Sequence, residues 1–246
     1  MGEAHSTVRW HPRTCLAGRC VTARFWKRFD DGWLTEVLQN VEPHAPYLHM
    51  KRLYSSKGDF CGFTKERWNK LVMDAVQYLQ SQPKKGFCSL VCGIDETARS
   101  TLVSQGCTIA EPHHICTEWG VGKAFDWFYD TWPDGLEPAY VYFDRGEGFM
   151  HSLRQRWLKE KKSQRVVINN TFWGLIVDID ARDMRNTPAL QASDLLAWSE
   201  TRNRASTEDR PFRYLAKIVE AVVPSWRLIL DEATLRRKHS SPAMSA

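Results

Sequence analysis

A chain of 246 residues, 43% hydrophobic and 26% charged, is long enough and apolar enough to bury a full core as one globular domain over 1–246. The formal net charge of +5 favours polyanionic partners without specifying one. No apolar run reaches the length of a membrane span and no secretory leader is read at the start, so the seven cysteines are expected as reduced thiols in a cytoplasmic protein with no membrane partner.

Residues 1–12 are polar, end in His11-Pro12 and are expected to be flexible, and residues 14–22 then read as a short strand. From Arg24 to Val41 the apolar set Phe25, Phe29, Trp33, Val37 and Leu38 recurs at helical intervals. Pro43 and Pro46 bound a turn, residues 47–50 form a short apolar element, and residues 55–62 read as a loop. Thr64 is placed to cap a strong helix whose stripe is Trp68, Leu71, Val72, Ala75, Val76 and Leu79, ending before Pro83. Residues 86–94 read as a buried strand, 95–104 as a polar helix ending near Gly106, and 114–132 as a helix rich in Trp and Phe. The short cluster His113, His114 and Cys116 lacks the second ligand pair that a zinc site needs.

Residues 139–143 form a continuous apolar strand, followed at once by Asp144 and then by Arg145-Gly146-Glu147-Gly148. A strand-end Asp in such a turn is either a turn former or a functional acid, because open α/β sheets collect functional groups past the carboxyl ends of their strands. Residues 149–162 form a basic amphipathic helix; Arg154, Arg156, Lys159, Lys161 and Lys162 are either a solvated face or a phosphate-steering surface. Residues 165–180 hold one or two strands, a helix is expected near 212–223, and residues 239–246 read as a flexible polar end.

Residues 186–198 carry the sharpest signal. Thr187 and Pro188 start a helix in which Gln191 and Asp194 share a face, with Ala192, Leu195, Leu196, Ala197 and Trp198 around them. A carboxylate in so apolar a setting needs a cation, a hydrogen-bond donor or a metal beside it. It is therefore either a metal ligand or an interior Asp capping a neighbouring backbone. Two carboxylates, one at a strand end and one on a later helix, can hold Mg²⁺ or Mn²⁺, which activates water in phosphodiester cleavage.

The segments YVYFDRGEGF (140–149) and TPALQASDLLAW (187–198) together resemble the domain of unknown function 3800 family. Phe25-Trp26 through Trp33, YLHMKRLY (47–54) and FTKERWNKLV (63–72) look like landmarks of that family in the same order, so the similarity covers most of residues 14–200. The resemblance implies an RNase H-like fold, a mixed five-stranded sheet flanked by helices. It also implies three candidate catalytic acids, with Asp144 at the end of the fourth strand and Asp194 on the late helix as the metal ligands. His49 matches a recurring family His with a substrate-contacting or structural role, and Glu147 and Gln191 are supporting residues.

The chain departs from the pattern at its start. The family opens with a hydrophobic strand ending Asp-Glu-Ser-Gly or Asp-Glu-Ala-Gly; here Glu3-Ala4 match the second and third letters, and Gly2 stands in the place of the Asp. The resemblance thus implies a truncated or missing first strand and leaves Glu3 as the third acid. Three functions follow. The first is a Mg- or Mn-dependent nuclease acting on DNA or RNA. The second is a catalytically impaired nucleic-acid-binding or protein-interaction module of a mobile element or defence system, perturbed enough at its sheet to form a homo-oligomer. The third is a structural α/β domain in which Asp144 makes a turn and Asp194 a buried hydrogen bond.

Overall fold

The computed structural model describes residues 13–18, 23–83, 87–131, 139–145, 148–162, 176–205 and 225–240. Their order is β1 (Arg13–Gly18), α1 (Ala23–Gly32), a π-helical turn (Trp33–Leu38), α2 (Met50–Tyr54), a 3-10 turn (Gly58–Phe60), α3 (Lys65–Ser81), β2 (Phe87–Ile94), α4 (Glu96–Ser104), α5 (Pro112–Thr131), β3 (Ala139–Asp144), α6 (Met150–Lys162), β4 (Ile176–Arg182), a 3-10 turn (Met184–Asn186), α7 (Pro188–Ala205), β5 (Ser225–Leu230) and α8 (Glu232–Ser240). The protein is a mixed α/β structure. No helix among the described residues is long and apolar enough to cross a membrane.

Local chemistry sets most of these boundaries. The Thr64 hydroxyl accepts the Arg67 amide at 3.2 Å to start α3. Its end is fixed by Pro83, which holds Gln82 extended at ψ 147°. Asp95 accepts the Thr97 and Ala98 amides to start α4, and Gly106 takes the left-handed conformation just past its end, at φ +85°.

Among the described residues the strands stand in two sheets. β1 pairs antiparallel with β2, from Arg13 opposite Cys92 to Gly18 opposite Phe87, and β2 pairs parallel with β5. β3 and β4 form a separate parallel pair. No pairing joins the two sheets among the described residues. α7 packs against both β1 and β3, so one helix underlies both sheets.

Three apolar clusters hold these layers. Phe29, Trp33, Val37, Leu48, Met50, Leu71 and Ala75 pack with Ala192, Leu195 and Leu196 of α7. Leu90, Ile94, Leu102, Ile115, Leu230 and Leu235 join β2, β5, α4, α5 and α8. Val121, Phe125, Leu153, Trp157, Ile176 and Ile179 hold α5 and α6 on the β3–β4 pair.

Three elements differ from the sequence reading. Of the one or two strands expected within 165–180, one is seen from Ile176 and runs two residues past that range to Arg182, while 165–175 lie outside the described residues. A bulge between Ala139 and Tyr140 makes this possible: Ile176 faces Ala139, but Asp178 faces Tyr140, so Val177 is extra and Asp178 and Asp180 leave the core side. β5 fell where no strand was expected. The end read as flexible from 239 begins with helical residues, because α8 runs to Ser240; Asp231 accepts the Thr234 amide at its start and Leu235 is buried against β5. One buried leucine in a polar helix gives too little periodicity to be legible. The helix expected near 212–223 lies outside the described residues, as do 1–12.

Candidate functional site

Gln191 organises the region around α7. It is fully buried, and both ends of its amide are used. Its Oε1 accepts the Trp33 indole N–H at 2.9 Å and the Leu48 backbone N–H at 2.8 Å. Its Nε2 donates to the Met184 carbonyl at 2.9 Å and, at 3.4 Å, to that of Arg185. One side chain thereby ties α7 to the π-helical turn, to the segment before α2 and to the 3-10 turn after β4. Burying so polar a group is tolerable because every bond it would make to water has a replacement.

Asp194 lies one turn further along the same face. Its Oδ2 accepts the Met50 amide at 2.7 Å, the first N–H of α2, and the His49 Nδ1–H donates to the same oxygen at 3.1 Å. The side chains of His49 and Asp194 are 25% and 21% exposed, so solvent reaches the pair. Oδ1 of Asp194 has no polar partner among the described residues. The interior capping bond anticipated for this residue is therefore present, and it leaves half of the carboxylate over.

Asp144 ends β3. Its Oδ1 accepts the Met184 amide at 3.3 Å, and Oδ2 has no polar partner among the described residues. The neighbouring Arg145 N–H donates to the Arg182 carbonyl at 2.9 Å, which extends the β3–β4 pairing past the acid. Met184 thus receives Asp144 on its amide and Gln191 on its carbonyl. Asp144 is thereby linked through Met184 to Gln191, which precedes Asp194 by one turn of α7. The expected α7 cap differs in detail: the Thr187 hydroxyl donates back to the Asp183 carbonyl at 2.9 Å, and the Thr187 carbonyl receives the first helical amides.

The remaining predicted residues divide. Arg154 and Arg156 are engaged with Asp178 and Glu118, each at 3.3 Å, and Lys161 lies over the Trp157 ring at 4.9 Å. Lys159 and Lys162 are exposed on the last turns of α6. Glu3 and Glu147 lie outside the described residues. His113 and His114 stack beside Phe149, Cys116 is buried, and the described Cys61, Cys92, Cys107 and Cys116 are free thiols.

Several neighbours escaped the sequence reading. Arg185 follows Met184, pairs with Asp59 at 3.0 Å and lies 5.1 Å from the Tyr47 ring centroid, and Arg52 donates to the Tyr47 hydroxyl at 3.1 Å. Both cations meet Tyr47, whose ring centroid lies 6.5 Å from that of His49. Their only sequence signal is adjacency to the site segments, because Tyr47, Arg52, Asp59 and Arg185 meet through tertiary contact.

Among the described residues no three His, Cys, Asp or Glu side chains form a group that could hold a metal. Mg²⁺ is commonly held by one or two carboxylates while keeping several waters. The unengaged oxygens of Asp144 and Asp194 are donors of that kind. Comparisons with protein-family models, with curated proteins and with solved structures gave no match.

Proposed function

We propose that the protein is a metal-dependent hydrolase of nucleic-acid phosphodiester bonds with an RNase H-like fold, using Asp144 and Asp194. The observation that carries this reading is the matched state of the two acids. Each fixes one oxygen on a backbone amide and leaves the other without a partner among the described residues. A carboxylate held this way keeps its position without surrendering its charge. Their locations, a parallel strand's carboxyl end and a late helix, agree with the places that the sequence resemblance assigns to two of its three acids.

In this reading Asp144 and Asp194 would hold Mg²⁺ or Mn²⁺, which when bound supplies an activated water and neutralises charge on the leaving oxygen. His49 orients Asp194 through its Nδ1–H. Arg52 and Arg185, which both meet Tyr47 beside His49, carry guanidinium groups of the kind that suits phosphate oxygens.

A second reading is a nucleic-acid- or protein-binding module without catalysis. It is favoured by the engagement of Asp194 Oδ2 with Met50 and His49, which accounts for that residue through the fold alone. The two are separated by assaying single- and double-stranded DNA and RNA with Mg²⁺ or Mn²⁺ against the parent protein, Asp144→Asn and Asp194→Asn. Asn keeps the amide-accepting oxygen and removes the charge. Cleavage by the parent and its loss in both variants support the hydrolase. No cleavage by the parent leaves the binding module, and cleavage unchanged in both variants overturns the assignment of Asp144 and Asp194.

A further inference from the structure

On the outer face of the β3–β4 pair, exposed aromatic side chains line up beside a proposed site residue. Residues alternate across a strand, so Val141 and Phe143 turn to the core while Tyr140, Tyr142 and Asp144 share the opposite face. Tyr140 is 58% exposed and Tyr142 is 40% exposed. Their rings are parallel within 7°, with centroids 6.3 Å apart. The bulge at Val177 brings Asp178 opposite Tyr140, Asp180 opposite Tyr142 and Arg182 opposite Asp144. Val177 itself is exposed beside them. The Arg182 guanidinium lies over the Tyr142 ring at 4.8 Å.

We infer that this face binds single-stranded nucleic acid, with bases stacked on Tyr140 and Tyr142 and the adjoining phosphate at Arg182, leading to Asp144. This rests on the hydrolase reading for Asp144 and names the strandedness of its substrate.

Four features point to that occupant. Flat rings exposed in series are the means by which proteins hold unpaired bases without reading their sequence. The centroids of these near-parallel rings stand 6.3 Å apart, near the roughly 6.8 Å, twice the ~3.4 Å spacing of stacked bases, over which one base can lie between two rings. A guanidinium already stacked on a ring presents its edge donors to phosphate. The acids of the face do not leave a bare negative surface, since Asp178 pairs with Arg154 at 3.3 Å and Asp180 with Arg182 at 3.2 Å. The apolar area is two rings and one valine set among charges, which suits stacked bases better than the packed aliphatic side chains of a protein partner.

The test is fluorescence anisotropy with end-labelled oligothymidylate and oligouridylate at low salt, in EDTA so that nothing is cleaved, beside a duplex of equal length. Expected is binding of one or both single strands, weaker binding of the duplex, and about tenfold weaker single-strand binding in each of Tyr140→Ala and Tyr142→Ala. Tyr142→Phe should bind as the parent does, because stacking needs the ring and not the hydroxyl. Equal affinity of the alanine variants and the parent overturns the inference. So does equal binding of duplex, or a parent that binds neither oligomer, including one whose self-association in sedimentation is what the alanine variants change. Binding without cleavage in Mg²⁺ or Mn²⁺ keeps the stacking face and removes the hydrolase; cleavage with unaltered binding in the alanine variants removes the face alone.

Discussion

Gln191 and Asp194 stand one turn apart on α7, and the structure uses them in opposite ways. Gln191 is 0% exposed and meets two donors and two carbonyls, whereas the Asp194 side chain is 21% exposed and meets donors on one oxygen only. The difference follows from the groups themselves. An amide donates and accepts, so it can satisfy a closed site containing both N–H groups and carbonyls. A carboxylate only accepts, so it suits a half-open place with donors on one side and water or a cation on the other. A Glu at 191 would confront the Met184 carbonyl with an oxygen, and a Gln at 194 would discard the charge. The first position holds the fold together and the second is left with chemistry to spare.

The largest expected effect breaks the closed side. Gln191→Leu strands the Trp33 indole N–H and the Leu48 amide in a dry interior, and should lower stability by about 4 kcal/mol in urea unfolding. A loss below about 1 kcal/mol would mean that Gln191 is not the tie described. Next comes Gly32→Ala. A Cβ there would stand 2.5 Å from the Tyr78 hydroxyl and 2.8 Å from its ring. That hydroxyl donates to the Phe29 carbonyl at 2.8 Å, and burial pushes its pKa up to about 12. Tyr78 must move or lose its partner, at a cost of about 2 kcal/mol by thermal or urea unfolding. An unchanged midpoint would show that the α1–α3 contact relaxes freely.

On the open side, Asp194→Ala should cost about 1 kcal/mol through loss of the Met50 cap, and Asp194→Asn less than about 0.5 kcal/mol because an amide oxygen still accepts that N–H. If Asn is as damaging as Ala, the charge itself stabilises α2, and the contrast between fold and chemistry at this position collapses.

The smallest effect is pH-dependent and lies at Asp30. Burial, and then the neighbouring Asp31 carboxylate, push its pKa up to about 6. The folded state therefore holds this proton more tightly than the unfolded chain, so this group's contribution falls as pH rises from about 4 to about 6 and stays low above it. The side chain is exposed to solvent, so the effect is discounted to about 1 kcal/mol or less. Asp30→Asn should flatten that part of the melting-temperature profile and raise stability at neutral pH. A parallel profile would place the titration elsewhere.

The sequence by itself determined the elements whose information is local. The α3 stripe with its Thr64 cap and Pro83 stop, the strand ending at Asp144 and the helix opening at Pro188 all lie where periodicity, capping and proline geometry put them. It also marked Asp194 as a carboxylate out of keeping with its apolar surroundings, Gln191 as sharing its helix face and Asp144 as a strand-end acid, while His49 was marked only by the family resemblance. Only the tertiary structure decided what those residues touch. Gln191 and Trp33 are 158 positions apart, and Asp194 and Met50 are 144 apart; such bonds leave no trace in the spacing of neighbours. The same holds for the exposed tyrosine face. Tyr140-Val141-Tyr142-Phe143 reads as a uniformly apolar strand, and only the bulge opposite it and the packing of α5 and α6 on one side determine which two side chains turn to the core and which two meet water.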